Sequence, residues 1–221
     1  MAKNIAGLIC AFNEEKTIYE VASRTKNFVN RVYVIEDGST DGTVKEAKRA
    51  GVEVIRHSMN WGKGAAFKTG FANLKGTEHD AVVVLDADLQ HLPEEIPRFI
   101  EKFEEGYNVV IGKRDFNNPN VPRSRRMGNN LYSTLLSSIT GQKIYDPECG
   151  FRLYKVDLLD RLINLSDLNG FNYESEVIKE LAKAQVEIGW ADISTVYIPG
   201  RVSKIKPLRH LLGCAMVCLK A

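Results

Sequence analysis

The sequence predicts an α/β domain built on a mainly parallel central sheet flanked by helices. Short, uniformly apolar runs alternate with stretches of helical period, the runs being "IAGLICAF", "RVYVIED", "VEVIRH" and "AVVVLDAD". Strands that are apolar at every position, rather than at alternate ones, are covered on both faces, as parallel strands are. Polar punctuation follows several of them, "NEE", "DGSTDGT" and "DADLQ", and open α/β sheets bind ligands at the carboxyl edge of their strands. At 221 residues, 44% hydrophobic and 26% charged, the chain suffices for a single domain, 1–221.

Taken in order, "IAGLICAF" is the first strand and a helix begins near Lys16. "RVYVIED" is the second strand, and "GSTDGT" after it supplies a glycine turn, then Ser39, Thr40 or Asp41 as a helix cap, with the helix running from about Thr43. "VEVIRH" is the third strand. The following "NWGKGAAFKTGF" nearly spells a P-loop, but Phe67 stands where its second glycine belongs, so an ATPase is excluded. What remains is Lys63 at the start of a helix from about Gly64, a place suited to meeting a phosphate. "AVVVLDAD" is the fourth strand and "LPEEIPRFIEKFEE" the next helix. The rhythm covers 1–112; in 113–206 "FNYESEVIKELAKA" is a helix with Glu174 near its start, and 207–221 is an amphipathic tail.

The fourth strand ends on two aspartates. In an extended strand residues i and i+2 share a side, so Asp86 and Asp88 are expected to project together, with Gln90 in the same parity. Two carboxylates and an amide oxygen are hard donors that suit Mg²⁺ or Mn²⁺ bound together with substrate phosphates. Alone, such a pair as readily caps the next helix. Asp37, at the second strand's exit, is placed to accept hydrogen bonds from a base or ribose.

Charge narrows the partners. A formal net charge of +2 argues against a nucleic-acid footprint, while basic residues bunch between Lys113 and Arg126 and between Arg201 and Arg209, which suits a small anionic ligand. The four cysteines (Cys10, Cys149, Cys214, Cys218) form no CxxC pair and no signal-peptide pattern opens the chain, so a reduced, cytoplasmic setting is expected. The tail's apolar run "LLGCAMVCL" would span about 13 Å as a helix, too short to cross hydrocarbon of about 30 Å. It suits a peripheral anchor at the cytoplasmic face of a membrane, or packing on the domain or on a second copy in a homo-oligomer.

These residues resemble the family 2 glycosyltransferases of GT-A fold, and within them the dolichol- and polyprenyl-phosphate mannose and glucose synthases. The likeness is carried, in order, by "ICAFNEE", "VIEDGSTDGT", "NWGKGAAFKTG", "LDADLQHLPEEIP", "GKRDF", "RRMGNNLYS", "DPECGFRLYK", "FNYESEV" and "SKIK", to about residue 206. It implies that Phe12, Glu14 and Asp37 hold the nucleoside, that Asp86 and Asp88 meet the metal and diphosphate, and that Gln90 completes the metal site. Cys10, Phe12 and Glu36 stand where the family commonly has proline, tyrosine and aspartate. The implied reaction moves a hexose from GDP-mannose or UDP-glucose to a polyprenyl phosphate, with inversion, which would make 1–112 the nucleotide-sugar-binding half and 113–206 the acceptor half.

The residues permit a consistent chemistry. Lys63 and Arg114 would assist Asp86 and Asp88 at the diphosphate. The likeness places Glu174 at the family's acidic acceptor position, where a hydroxyl acceptor would need a general base. A phosphate acceptor is already ionised at neutral pH and needs none. Arg125, Arg126, Arg201, Lys204 and Lys206 are more positive charge than a neutral acceptor requires, and Asp88, Glu174 and Arg126 are the expected catalytic set. The rivals are a soluble transferase with a hydroxyl or small phosphorylated acceptor, a nucleotidyltransferase, whose glycine-rich loop "CAFNEEKTI" lacks, and a non-catalytic nucleotide-binding module.

Overall fold

A computed structural model describes residues 3–116, 118, 121–165 and 173–196. Arg201, Lys204, Lys206, Cys214, Cys218 and the 207–221 tail lie outside the described residues. The elements run β1 (Ile5–Ala11), α1 (Ile18–Thr25), β2 (Arg31–Glu36), α2 (Thr43–Arg49), β3 (Glu53–Arg56), α3 (Lys63–Leu74), β4 (Ala81–Asp86), α4 (Ile96–Glu104) and β5 (Val109–Arg114). They continue with α5 (Arg123–Thr140), β6 (Arg152–Lys155), α6 (Leu159–Ile163), α7 (Tyr173–Lys183) and β7 (Ile188–Ile193). The expected helix starts near Lys16, Thr43 and Gly64 fall within two residues of the observed ones.

One sheet gathers the strands in the order β3-β2-β1-β4-β6-β5-β7. Every pairing is parallel except those of β6, which runs against both β4 and β5, so the sheet is mainly parallel, as expected. Its centre explains the apolar runs: Leu8, Ile9, Val82, Val83 and Leu85 are wholly buried between helices on both faces. "VEVIRH" differs from the expectation. It forms the four-residue edge strand β3, half-buried at Val54 and Ile55 and exposed at Glu53 and Arg56. With a neighbour on one side only, an edge strand keeps charged ends in water, which also guards it against pairing with another chain.

The chain steps from β1 outward through β2 to β3, then returns to lay β4 on the other side of β1. That reversal makes a topological switch point, the place where open α/β sheets form a ligand crevice at the carboxyl ends of their strands. Register brings Cys10 opposite both Ile35 and Asp86, and Ala11 opposite Glu36. Because β6 is antiparallel, with Arg152 opposite Val84, the segment that precedes it arrives at the same edge.

Candidate functional site

The loops after β1 and β2 are laced together. Asn13, at a left-handed φ of 52°, donates its N–H to Ser39 Oγ at 2.9 Å and accepts at Oδ1 from the Thr40 N–H at 3.0 Å. Glu14 donates its N–H to Thr43 Oγ1 at 2.8 Å, and its carboxylate accepts from the Thr17 hydroxyl at 3.2 Å. Half-buried Phe12 lies in the same loop, so Phe12, Glu14 and Asp37 are brought to one side of the edge.

Glu36 and Asp37 are both buried, at 0% and 3% exposure. Glu36 accepts from Arg56 Nε at 3.0 Å and from the Ser39 N–H. Asp37 Oδ1 accepts from the Trp61 N–H at 3.0 Å and meets His57 Nδ1 at 2.7 Å, while Oδ2 accepts from the Gly62 N–H at 2.8 Å. The other nitrogen of His57 reaches Thr69 Oγ1 at 2.8 Å, inside α3. Asp37 thus staples loop 57–62 against the sheet edge, and that loop delivers Lys63 as the first residue of α3. Gly38 makes the staple possible: it sits at φ +71°, and any Cβ there would fall well inside contact distance of the Met59–Asn60 backbone.

At the crevice Lys63 meets two carboxylates from distant parts of the chain. Its Nζ lies 2.8 Å from Asp86 Oδ1 at the end of β4 and 2.8 Å from Glu174 Oε1 in the first turn of α7. Burial is the largest single influence on Asp86 and would raise its pKa, but the charge and hydrogen bond of Lys63, with His91 and Arg114, together outweigh it and hold the carboxyl at about 2. The same carboxylates outweigh the burial of Lys63 and push it above its ordinary value. Gly150 closes the cluster from the antiparallel side. A Cβ there would stand 2.9 Å from both Asp86 Oδ2 and Lys63 Nζ, so a side chain would displace the pair.

The second aspartate sits differently from the expectation. β4 stops at Asp86, and Asp88 lies in a turn where its Oδ1 accepts the Gln90 N–H at 3.0 Å and Leu89 takes a left-handed φ of 63°. Strand alternation therefore does not set the relation of Asp86, Asp88 and exposed Gln90. The reason is local: an aspartate that hydrogen-bonds its own backbone two residues on stabilises a turn against the strand. The turn brings His91 back under the strand end. Its Nδ1 accepts the Asp86 N–H at 3.1 Å, which fixes the proton of the neutral ring on Nε2. The ring stacks on Phe151, and Phe151 on Phe99. Burial pushes His91 down to about 4, so its 3.7 Å approach to Asp86 Oδ2 is no ion pair at neutral pH.

Further along the chain, Arg114 at the end of β5 is bidentate to wholly buried Asp146, at 2.6 and 2.8 Å. Arg126 folds back to donate Nε–H to the Phe116 carbonyl at 2.7 Å, and the Arg114 guanidinium lies 5.2 Å from the Phe116 ring centroid. Arg114 and Arg126 are therefore linked through Phe116; Arg125 is exposed at the start of α5. Arg152, almost wholly buried, donates to the carbonyls of Pro147 (2.8 Å), Cys149 (2.7 Å) and Glu174 (2.8 Å), tying the segment that holds Asp146 and Gly150 to the start of α7.

Sequence reasoning missed His57, His91, Gly150 and Arg152. An arginine opening the apolar strand "FRLY" was the readable signal for the last. It also missed a stripe along α5, where Met127, Leu131, Leu135 and Ile139 recur every fourth residue and are 72, 65, 45 and 37% exposed. The other side of α5 buries Tyr132, Ser133 and Leu136. No acidic residue occurs in α5, whose first turn carries Arg123, Arg125 and Arg126.

With this geometry in place, residues 8–163 match the family described as "Glycosyl transferase family 2". Over 181 residues the chain is 30% identical to the undecaprenyl-phosphate 4-deoxy-4-formamido-L-arabinose transferase of Klebsiella pneumoniae strain 342, which covers 76% of this chain and 54% of that protein. This chain therefore spans about half the length of that relative. It is 31% identical over 204 residues to an uncharacterized protein of Methanocaldococcus jannaschii, covering 89% of this chain and 83% of that one. Among solved structures, glucosyl-3-phosphoglycerate synthase from Mycobacterium tuberculosis, crystallised with Mn²⁺, UDP-glucose and phosphoglyceric acid, superposes with a TM-score of 0.74 at 21% identity, over 98% of this chain and 80% of that chain. The likeness in fold bears out the GT-A-like architecture, and by the match running from β1 to the end of α6 this chain belongs to glycosyl transferase family 2.

Proposed function

We propose that the chain transfers a hexose, mannose or glucose, from GDP-mannose or UDP-glucose to a polyprenyl phosphate at a membrane surface, with inversion and with a divalent cation. The observation that carries the reading is the cluster at the switch point, where Asp86, Lys63 and Glu174 converge from β4, α3 and α7 beside a glycine that leaves room for them. The donor set fits Mg²⁺ or Mn²⁺. Asp86 keeps 29% of its side chain exposed and is ionised at neutral pH, and Asp88 and Gln90 follow within one turn. Among the described residues no three carboxylate, imidazole or thiol groups are gathered as a closed metal site, so substrate phosphate oxygens would complete the shell. Once bound there, the cation would neutralise the negative charge developing on the departing diphosphate.

The chain's own residues do the rest. The acceptor phosphate oxygen attacks the anomeric carbon as the bond from that carbon to the diphosphate breaks, and the nucleoside diphosphate leaves. Lys63 stands at the start of α3, where its charge and the helix's leading N–H groups favour an anion. Asp37 shapes the nucleoside side through the loop it anchors, beside Phe12 and Glu14. Arg125 and Arg126, with Arg201 and Lys204 beyond the described residues, receive the acceptor phosphate, and Arg114 stands behind Phe116. Glu174, already paired with Lys63, positions that lysine rather than taking a proton, since a phosphate nucleophile arrives ionised. The α5 stripe and its cationic first turn suit an anionic membrane face, apolar residues entering the interface and arginines meeting headgroups. Among the described residues no helix is long and apolar enough to cross a membrane.

The test is a panel of sugar nucleotides assayed with undecaprenyl phosphate, with a phosphorylated small-molecule acceptor and with neutral sugars, for the native chain and for Glu174→Gln and Arg126→Gln. Lipid-dependent transfer, lost in excess chelator and reduced roughly 10- to 150-fold by Arg126→Gln, is expected. Transfer to a hydroxyl acceptor with Glu174→Gln down roughly 10²- to 10⁴-fold would replace the lipid acceptor by the hydroxyl one.

A further inference from the structure

We propose that Lys63 is a resident counter-ion that a divalent cation must displace, so that the cation and the nucleoside diphosphate enter the crevice cooperatively. The inference rests on the sugar-nucleotide reading and adds to it an exchange of partners by one side chain. Its basis is the shared contact: Nζ lies 2.8 Å from Asp86 Oδ1 and 2.8 Å from Glu174 Oε1, bridging two acidic groups that are far apart in the chain. Gly150 shows how closely the pair is enclosed, since the position of its missing Cβ lies 2.9 Å from both Asp86 Oδ2 and Lys63 Nζ, and 3.4 Å from His91 Cε1.

A cation arriving at Asp86 meets a carboxylate that is already neutralised. To bind, it must break the Lys63–Asp86 contact and leave a second positive charge close by, so the cation alone binds weakly. A diphosphate removes that penalty, because the released ammonium is an anion ligand and lies 38% exposed on a flexible stem at the mouth of α3. Each ligand then raises the affinity for the other by the same factor, as thermodynamic coupling requires. The loop that carries Lys63 is held by Asp37, so the lysine's backbone stays in place while its side chain moves.

The experiment titrates Mn²⁺ by the loss of the free-ion electron paramagnetic resonance signal, with and without UDP or GDP, in the full chain and in Lys63→Gln and Glu174→Gln. Thermal melts check that each variant is folded. Lys63→Gln is expected to bind Mn²⁺ alone about 10-fold more tightly, the worth of one charge-assisted contact partly screened by solvent, and to lose most of the nucleotide-induced gain. Glu174→Gln removes the carboxylate that holds the lysine once Asp86 releases it, leaves Lys63 more firmly on Asp86, and is expected to weaken the binding of Mn²⁺ alone. Equal or weaker Mn²⁺ binding in Lys63→Gln, or tighter binding in Glu174→Gln, overturns the exchange and leaves the sugar-nucleotide site standing. Absence of Mn²⁺ binding in every variant, nucleotide present, overturns the cation-dependent reading itself and the exchange with it.

Discussion

His91 gives the crevice a measurable sensitivity to acid. Its imidazole is 5% exposed, accepts the Asp86 N–H and is stacked on Phe151, so the charged form is excluded by burial and its pKa falls from 6.5 to about 4. A histidine with a depressed folded-state value takes up its proton more readily when unfolded. Its contribution to stability is therefore complete above pH 6.5 and is lost as the pH falls towards 4. The gap from 6.5 to about 4 is worth about 3 kcal/mol in full, and about 2 kcal/mol falls between pH 7 and pH 5. Urea denaturation at half-unit steps across that range, on the native chain and on His91→Asn, isolates the effect. Asparagine keeps an acceptor near the Nδ1 position and does not titrate, and Asp86, with its shift between 3.8 and about 2, contributes below the window in both proteins. The native chain should lose about 2 kcal/mol more than the variant. Parallel stability curves from pH 7 to pH 5 would refute the reasoning.

Other consequences follow from the same contacts. Arg114→Met leaves Asp146 charged and wholly buried without its bidentate partner, and should cost about 3 to 5 kcal/mol in urea denaturation, whereas the exposed Arg125→Met should stay within about 0.5 kcal/mol. Arg152→Met should cost about 3 kcal/mol or more, since three carbonyls lose one donor, and hydrogen exchange should rise at the start of α7. Gly38→Ala combines a left-handed φ with backbone overlap at Met59–Asn60, and should lower both the melting temperature and nucleotide affinity, because loop 57–62 carries Lys63. Met127→Gln with Leu131→Gln should leave the melting temperature unchanged and weaken sedimentation with anionic vesicles by about 10-fold; unchanged sedimentation would remove α5 from the membrane face.

The fold was readable because its central strands are apolar on both faces and its turns are chemically marked. β1, β2 and β4 could hardly be anything but buried parallel strands, and "GSTDGT" announced a turn and a helix start. β3 was misjudged because an edge strand of four residues, half-buried at its centre, carries the same apolar letters as a central one; exposure is decided by the neighbour it lacks. The relation of Asp86 to Asp88 was misjudged for another reason. Period-2 alternation holds only while the strand lasts, and β4 ends at Asp86, two residues before Asp88, whose side chain bonds the backbone of its own turn. The contacts of Arg152 and Gly150 were out of reach, since both depend on β6 running against β4.

The acidic residues at the strand ends show why position in the sequence alone does not assign them. Glu36 and Asp37 end β2, Asp86 ends β4 and Asp146 precedes β6, and each stands where an open sheet would bind a ligand. Burial separates them. Glu36, Asp37 and Asp146 are 0, 3 and 0% exposed, and their oxygens hold Arg56, loop 57–62 and Arg114. Asp86 keeps 29% of its side chain in reach of solvent and faces a cation that is itself partly exposed. A buried carboxylate needs fixed partners, because exchanging them would leave a charge desolvated for the duration of the exchange. A half-exposed one can trade partners through water at little cost. The buried acids are therefore fitted to hold the loops at constant geometry, and Asp86 is fitted to pass from lysine to an incoming ligand, which is why charge closes a strand that is otherwise wholly apolar.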